Sequence, residues 1–402
     1  KRKIEDISHL TCLVVDSNYP IHAEKFDVII VSYGMLKKRG IWPLSDIIDH
    51  QQRVLILDEG HAVKNYDSNR TNISLKLAQY ARHSIVVTAT PLKNRVGELH
   101  PLLRITRRLW TEMTFEAFVK SYSTPERQEE IAEHLQGFMV RRMADEVWKD
   151  APQVEIGEAW LPLTNRGDYV EAERDFIAWL MRHGADMDRL AAAERGHALV
   201  KLNKLRELAA VGKIEPASHI IEQTMNHGEQ VVAFCAFNEP LVALATRFRY
   251  KTGTNYKGQK WQGSGLIIGS VPEKARNELI GRFMDGKIGI LCVGTQAGGL
   301  GIDLPIAAYG YFLDLPWTPA DFEQCTGRLK RLGQDRDCQF IKLLANGTID
   351  QRMEQIIQDK ALTFQRAIGD EDIVGRVTAR DPASLRETIV SSLIRSYLRD
   401  AS

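Results

Sequence analysis

Two adjacent acids, Asp58 and Glu59, follow the apolar run Val54-Leu55-Ile56-Leu57. In open α/β sheets chemistry gathers at the carboxyl ends of strands. An acidic pair there suits phosphoryl transfer, one carboxylate holding Mg2+ through water and the other orienting an attacking water. A bare Asp-Glu pair is also an ordinary acidic turn, so its continuation through Gly60, His61, Lys64, Asn65 and Ser68 carries the weight. A second run, Ile85-Val86-Val87, ends in Thr88-Ala89-Thr90-Pro91-Leu92-Lys93-Asn94, where strand-end hydroxyls can bridge a catalytic carboxylate to a second site. A third, Ile290-Leu291-Cys292-Val293, opens into a glycine-rich stretch from Gly294 to Leu304. Glycines let backbone N–H groups approach a phosphate closely, but the spacing is not GxGxxG and reads poorly as a dinucleotide loop. Further on, Arg328 and Arg331 are three apart, which on a helix puts both on one face. Two guanidinium forks can clamp a transferring phosphoryl group, although a solvated basic face has the same appearance.

The elements that must position these residues are short apolar runs separated by helical patterns. They are Thr11–Val15, Asp27–Tyr33, Val54–Asp58 and Ser84–Thr90 in the first half, and Gln230–Phe237, Gly265–Ser270, Ile288–Thr295, Tyr309–Leu315 and Cys338–Leu344 in the second. Continuous apolar strands alternating with helices predict an α/β fold with parallel sheets covered on both faces. From about Leu99 to Leu208 the chain reads mostly helical, with Asp150-Ala151-Pro152 and Leu161-Pro162 as breaks. The expected organisation is one lobe at 1–103, a helical insertion or linker at 104–211, a second lobe at 212–360 and a helical tail at 361–402.

Composition narrows the class. With 53 Lys+Arg against 52 Asp+Glu, bulk basicity does not hold this chain on nucleic acid, though local basic patches stay open. Hydrophobic residues at 44% and charged residues at 26% exclude disorder. No apolar run approaches the ~18 residues that span a bilayer, and no signal peptide begins the chain. The five cysteines are scattered without CxxC spacing, which argues against disulfides or zinc and for small buried hydrophobes in a reducing compartment.

Taken in order, the motifs resemble superfamily 2 helicase-like ATPases, and within them the SNF2 family of double-stranded DNA translocases. Asp58-Glu59-Gly60-His61 with Lys64, Asn65 and Ser68 is similar to the family's extended motif II, and Thr88–Asn94 with Glu98-Leu99 to motif III. Ser270 through Arg276 to Phe283 is similar to the motif IV region, Thr295–Leu304 to motif V, and Asp314–Trp317 with Pro319, then Gln324, Gly327, Arg328, Arg331, Gly333 and Gln334, to motifs Va and VI. The resemblance runs from about Asp27 to Lys360. It implies two RecA-like lobes with ATP and Mg2+ in the cleft between them. It assigns Asp58 to the metal, Glu59 to the water, Arg328 and Arg331 to arginine fingers, and Gln324 to setting their position. It gives nucleotide contacts to His61, Thr88, Thr90, Gly301 and Asp303, and DNA-backbone contacts to Lys64, Lys93, Asn94, Ser270, Thr295, Gly298 and Gly299. The implied partner is double-stranded DNA read through its phosphates rather than its sequence, with other proteins joining through further domains, no membrane, and an intracellular setting in a prokaryote, a phage-infected cell or a nucleus.

Three positions depart from the family pattern: Asp303 and Thr318 each stand where Asn is commoner, and Lys330 where His is. None removes a charge-bearing catalytic group. A larger departure is the phosphate loop GxxxxGK[ST], which the sequence lacks; the near match Gly281–Ile288 ends in Ile and sits between helix and strand, the reverse of the required order. A start without Met suggests that motifs I and Ia lie upstream in the native protein. The alternatives are an ATPase-inactive DNA-binding or scaffold relative, and an RNA helicase of the wider superfamily. On the first expectation these 402 residues alone hydrolyse negligible ATP.

Overall fold

The computed structural model describes residues 4–5, 8–15, 26–39, 53–88, 96–109, 113–122, 125–140, 148, 150–183, 192–295, 302–317, 319–367 and 382–401. These fall into two compact units, one within 1–140 and one within 141–367 with 385–402.

The first unit holds two parallel strand pairs. β1 (Cys12–Val14) pairs with β2 (Val28–Ile30), and β3 (Val54–Leu57) with β4 (His83–Val86), in the register Val54↔His83. α1 (Tyr33–Arg39) follows β2, and α2 (Asn69–Tyr80) crosses from β3 to β4. Ser68 caps α2, its hydroxyl accepting from the Thr71 N–H, which is why the helix begins there. α3 (Leu99–Ile105) packs Leu102 and Ile105 with Leu57, Val63 and Ala78. A second cluster joins Leu99 and Leu103 to Phe118 of α4 (Phe115–Ser121) and to Ile131 and Leu135 of α5 (Pro125–Gln136).

The second unit is built on a six-stranded sheet whose strand pairs are all parallel. Its strands are β5 (Val154–Trp160), β6 (Val231–Cys235), β9 (Ser264–Ile267), β10 (Ile290–Gly294), β11 (Tyr309–Phe312) and β12 (Cys338–Leu344), in the order β5-β12-β11-β6-β10-β9. β7 (Thr252–Thr254) and β8 (Lys260–Gln262) form a separate antiparallel hairpin. Alternate residues of the central strands enter opposite clusters. Val231, Ala233, Cys235, Ile290 and Cys292 face one way, and Val232, Phe234, Leu291 and Val293 the other. Burial on both faces is what turns β6 and β10 into unbroken apolar runs.

The described helices of this unit include α6 (Arg166–His183), α7 (Ala192–Gly212), α8 (Ile214–Asn226), α9 (Asn238–Phe248), α10 (Glu273–Met284), α11 (Pro319–Thr326) and α12 (Ile349–Ala367). A last helix, α13 (Pro382–Ala401), closes the described chain. Residues of α6, α7, α12 and α13 share one core, with Tyr169, Phe176, Leu202, Leu205, Met353, Leu393 and Tyr397 interlocked.

All nine expected strands are present. Three more are described: the hairpin strands β7 and β8, and β5, which lies inside the stretch that reads as helical. It is an edge strand that pairs only with β12, and Val154, Ile156 and Trp160 stay exposed. With polar residues interrupting its apolar ones and prolines at 152 and 162, it carries an edge strand's weak signal rather than a buried strand's strong one. Among the described residues, no helix is long and apolar enough to cross a membrane.

All five cysteines are buried and unpaired. Burial pushes the Cys325 thiol up to about 12 and the Cys338 thiol up to about 11. The folded chain is therefore expected to resist a thiol-specific chromogenic reagent at neutral pH, and unfolding in guanidinium to release all five thiols. Rapid reaction of the native chain would contradict this packing.

Candidate functional site

In the first unit, β3 delivers Asp58 and Glu59 to its carboxyl end, both exposed. Glu59 takes the left-handed backbone conformation, φ 51° and ψ 50°, and so turns the strand abruptly into a short 3-10 helix, Gly60–Val63. A non-glycine residue pays for that conformation in strain, of a kind that concentrates at functional sites. The turn is pinned to β4: the Gly60 N–H donates to the Val87 carbonyl at 2.8 Å, and the Val87 N–H donates to the Leu57 carbonyl at 2.8 Å. Only glycine permits this approach, because a Cβ on Gly60 would sit 2.2 Å from Val86 Cγ1. Thr88, half-buried, directly follows, so the acidic pair and the Thr88 backbone share one strand edge.

The neighbouring groups respond to the two carboxylates. The Tyr33 hydroxyl donates to the Asp58 carbonyl at 2.8 Å. Burial, then the charges of Asp58 and Glu59, push its phenol up to about 12. The Asp58 carboxylate accepts the Glu59 N–H at 3.0 Å. Downstream, the buried Thr71 hydroxyl donates to the carbonyls of Val63 at 2.9 Å and Asn65 at 2.6 Å, fixing the loop after the 3-10 helix. Lys64 pairs with Glu98 at 2.9 Å and is half-buried, which joins the Asp58 segment to the segment after Thr88.

In the second unit, Ser270 and Thr295 lie just beyond the carboxyl ends of the adjacent strands β9 and β10, Ser270 exposed and Thr295 half-buried. The two arginines do not share a helix face. α11 ends at Thr326, and the chain continues as a series of turns, with Leu304 N–H donating to the Arg328 carbonyl at 2.8 Å. Arg328 is 4% exposed, whereas the Arg331 side chain is 51% exposed. Leu329, between them, is fully buried, which accompanies this departure from helical geometry. Arg331 Nε donates to Asp303 Oδ1 at 2.9 Å, bringing together two positions that the sequence reading assigned separately. Gln324 sits half-buried on α11, and Gln334 is buried, donating to the Ala307 carbonyl at 2.8 Å.

Thr90, Lys93, Asn94, Gly298, Gly299 and Gly301 lie outside the described residues, as does the side chain of His61.

Sequence reasoning missed the supports. Arg206 on α7 is 2% exposed, and its Nη2 donates at 2.6 Å both to Asp314 Oδ2 and to the Leu315 carbonyl. Its guanidinium lies 4.3 Å from the Trp317 ring centroid, and Asp314 Oδ1 accepts the Ala236 N–H at 2.8 Å. One cation in a long helix gives no sequence signal for this role. Tyr33 was findable, since it follows β2 as Asp58 follows β3.

Chemically, Mg2+ is usually held by one or two carboxylates, waters and substrate phosphates rather than by a protein cage. Exposed Asp58 suits that habit, and among the described residues no group of three or more His, Cys, Asp or Glu forms an alternative cage.

Comparison with known proteins finds relatives along most of this chain. The model of the SNF2-related domain matches residues 9–171, and that of the helicase conserved C-terminal domain matches residues 212–333. The chain is 26% identical over 379 residues to the CHD3-type chromatin-remodeling factor CHR7 of Arabidopsis thaliana, covering 87% of this chain and 29% of that protein. It is 25% identical over 383 residues to the uncharacterized ATP-dependent helicase YqhH of Bacillus subtilis, covering 85% of this chain and 67% of that one. Among solved structures, the Sulfolobus solfataricus SWI2/SNF2 ATPase core in complex with dsDNA aligns at TM-score 0.41 and 19% identity, over 96% of this chain and 82% of that chain.

Two stability measurements test this geometry. Glu59→Gly should be more stable than Glu59→Ala by about 1 kcal/mol in urea unfolding, because only glycine adopts φ near 51° without strain; equal stabilities would refute the strained turn. Arg206→Met should cost about 3–5 kcal/mol by stranding the Asp314 carboxylate, and adding Asp314→Leu should recover much of that loss. A double variant no better than the single one would show that the pair is not the coupling unit.

Proposed function

We propose, for a chain that belongs to the SNF2-related family of helicase-like ATPases of superfamily 2, that it forms the larger part of an ATP-driven motor translocating on double-stranded DNA. The observation that carries this reading is the acidic pair presented on a strained, glycine-packed turn at the end of β3, within a chain whose remaining motifs follow in the family's order. Membership supports an ATPase; the DNA substrate and the movement along it are our extension. The sequence contains no GxxxxGK[ST] loop, and our reading assigns phosphate cradling to a preceding segment of the native protein.

In this reading Asp58 would hold Mg2+, which would supply positive charge to offset that of the nucleotide's phosphates. Glu59 accepts the proton of the attacking water or orients it. Arg331 supplies the cation for the transferring phosphoryl group, being exposed where Arg328 is buried. Arg328 and Gln324 then position the turn that carries it. Thr88 and Asp303 serve nucleotide positioning and coupling. Ser270 and Thr295 contact the DNA backbone, which predicts little sequence preference. Lys64, engaged by Glu98, is better suited to linking the Asp58 and Thr88 segments than to standing ready for a phosphate. Such a motor works where DNA is, in a prokaryotic cytoplasm or a nucleus, and finds protein partners through domains beyond these residues.

The test is kinetic, in the full-length native protein with duplex DNA. Glu59→Gln should abolish DNA-stimulated ATP hydrolysis while nucleotide binding persists, and Arg331→Ala should lower kcat by ~10³-fold or more. Retained turnover in both variants would sink the assignment. Stimulation by RNA with strand separation, but not by duplex DNA, would favour the RNA helicase alternative.

A further inference from the structure

From Pro240 to Pro272 the chain carries five cations, Arg247, Arg249, Lys251, Lys257 and Lys260, and no acidic residue. In a protein of net charge +1 this is a sharp local departure, and none of the motifs accounts for it. The cations occupy the end of α9, the segment after it and the β7–β8 hairpin, and all five are exposed.

The hairpin is rigidly placed. Its inner face sets Gly253 opposite Trp261, which is 5% exposed, and a Cβ on Gly253 would fall 2.2 Å from the indole. Its outer face presents Thr252, Thr254, Lys260 and Gln262, all exposed. In the turn, Asn255 Oδ1 accepts the N–H groups of Lys257 at 3.0 Å and Gln259 at 2.9 Å, while its amide donates to Gln230 Oε1 at 2.9 Å. Gln230 donates in turn to the carbonyls of Phe283 at 2.9 Å and Ile288 at 2.8 Å. Gln230 immediately precedes β6, and Gly289, packed against Trp261, immediately precedes β10. The hairpin is thus fixed to the amino ends of the central strands, whereas Ser270 and Thr295 lie beyond the carboxyl ends of β9 and β10.

Two tyrosines face solvent among these cations. Tyr250 is 78% exposed, with the Arg249 guanidinium 5.5 Å from its ring centroid. Tyr256 is 37% exposed; the Arg336 guanidinium covers its ring at 3.6 Å, and Lys257 Nζ lies at 5.3 Å. Arg336 is itself held by both Glu229 oxygens at 2.8 and 2.7 Å, which keeps the Tyr256 ring in place. Lys251 is paired with Glu222, but among the described residues Arg247, Arg249, Lys257 and Lys260 form no ion pair.

Unpaired cations interleaved with solvent-facing aromatic rings are the chemistry that binds single-stranded nucleic acid, with charge for the phosphates and rings for unstacked bases. An acidic protein segment would use the charge but leaves the exposed rings without a role. We propose that the β7–β8 hairpin and the adjoining end of α9 form a second nucleic-acid contact, one that takes a single strand at the amino ends of the central strands, opposite the motifs.

The experiment is fluorescence anisotropy of labelled oligodeoxythymidine with the 402-residue chain over a salt series. The triple variant Arg249→Ala/Lys257→Ala/Lys260→Ala should bind about tenfold or more weakly, with the slope of log K against log salt smaller by about two. Tyr250→Ala should weaken binding about fivefold or more at an unchanged slope. Circular dichroism and thermal midpoints should match the parent, since these side chains are exposed. Parental affinity and slope in the triple variant overturn the proposal. So does a triple variant that loses polyglutamate binding while keeping the oligonucleotide. Unaltered binding by Tyr250→Ala overturns the single-strand assignment.

Discussion

Asp314 stands just beyond the carboxyl end of β11 with 2% of its surface exposed, and a carboxyl group so buried needs hydrogen-bonding partners. Arg206, 108 residues earlier, is one of them. The consequence is architectural. α7 must dock where its guanidinium meets Asp314, and Trp317 and Phe237 then stack on the same cation. Just past α7, Lys213, fully buried, donates to the Leu343 carbonyl and to Asp350, whose carboxylate also accepts the Ala345 N–H at 3.2 Å. Two buried cations at the end of one helix therefore tie it to β11, to β12 and to the start of α12. α6 and α7 belong to the same compact unit as the sheet. The turn after β11 inherits its position from this arrangement.

The same logic explains why the first unit tolerates strain where it does. The αL backbone of Glu59 costs free energy, and the neighbouring turn offers no freedom to relax it, since Gly60 is clamped against Val86 and Val87. Thr71 and Ser68 then anchor the loop into α2 through backbone carbonyls and the helix cap. The result is a pair of adjacent carboxylates held outward on a stiff support, in a field strong enough to help push the Tyr33 phenol up to about 12. Preorganisation of this kind is what phosphoryl transfer asks of its protein, which otherwise has little covalent work to do.

Much of this was legible because burial writes itself into strands. β6 and β10 are apolar at every position, since both faces are covered, and the residues after such runs could be searched directly for chemistry. What was illegible has equally physical reasons. β5 pairs along one side only, and its alternating, half-polar sequence gives no such run. Arg328 and Arg331 have helical spacing, but Leu329 is drawn into the core and the helix has already ended at Thr326, so spacing alone misjudged their directions. Arg206 and Lys213 are single cations whose partners lie more than a hundred residues away, and no local pattern encodes that distance.

The near-zero net charge gains meaning once the charges are placed. Arg331, the exposed arginine, rests against Asp303 rather than in open solvent. An exposed pair of this kind is worth about 0–1 kcal/mol, because water screens it and ordering two side chains costs entropy. A phosphate accepting a bidentate guanidinium offers a stronger, charge-assisted contact. In the proposed motor Asp303 would hold Arg331 in place without withholding it, and release would cost little once a phosphoryl group arrived. A family position more often occupied by Asn here carries a charge, which gives the resting arginine a defined partner. Under that proposal, the balance between a weak internal partner and a strong external one would make engagement reversible, and a cycle of binding and release requires reversibility more than tight binding.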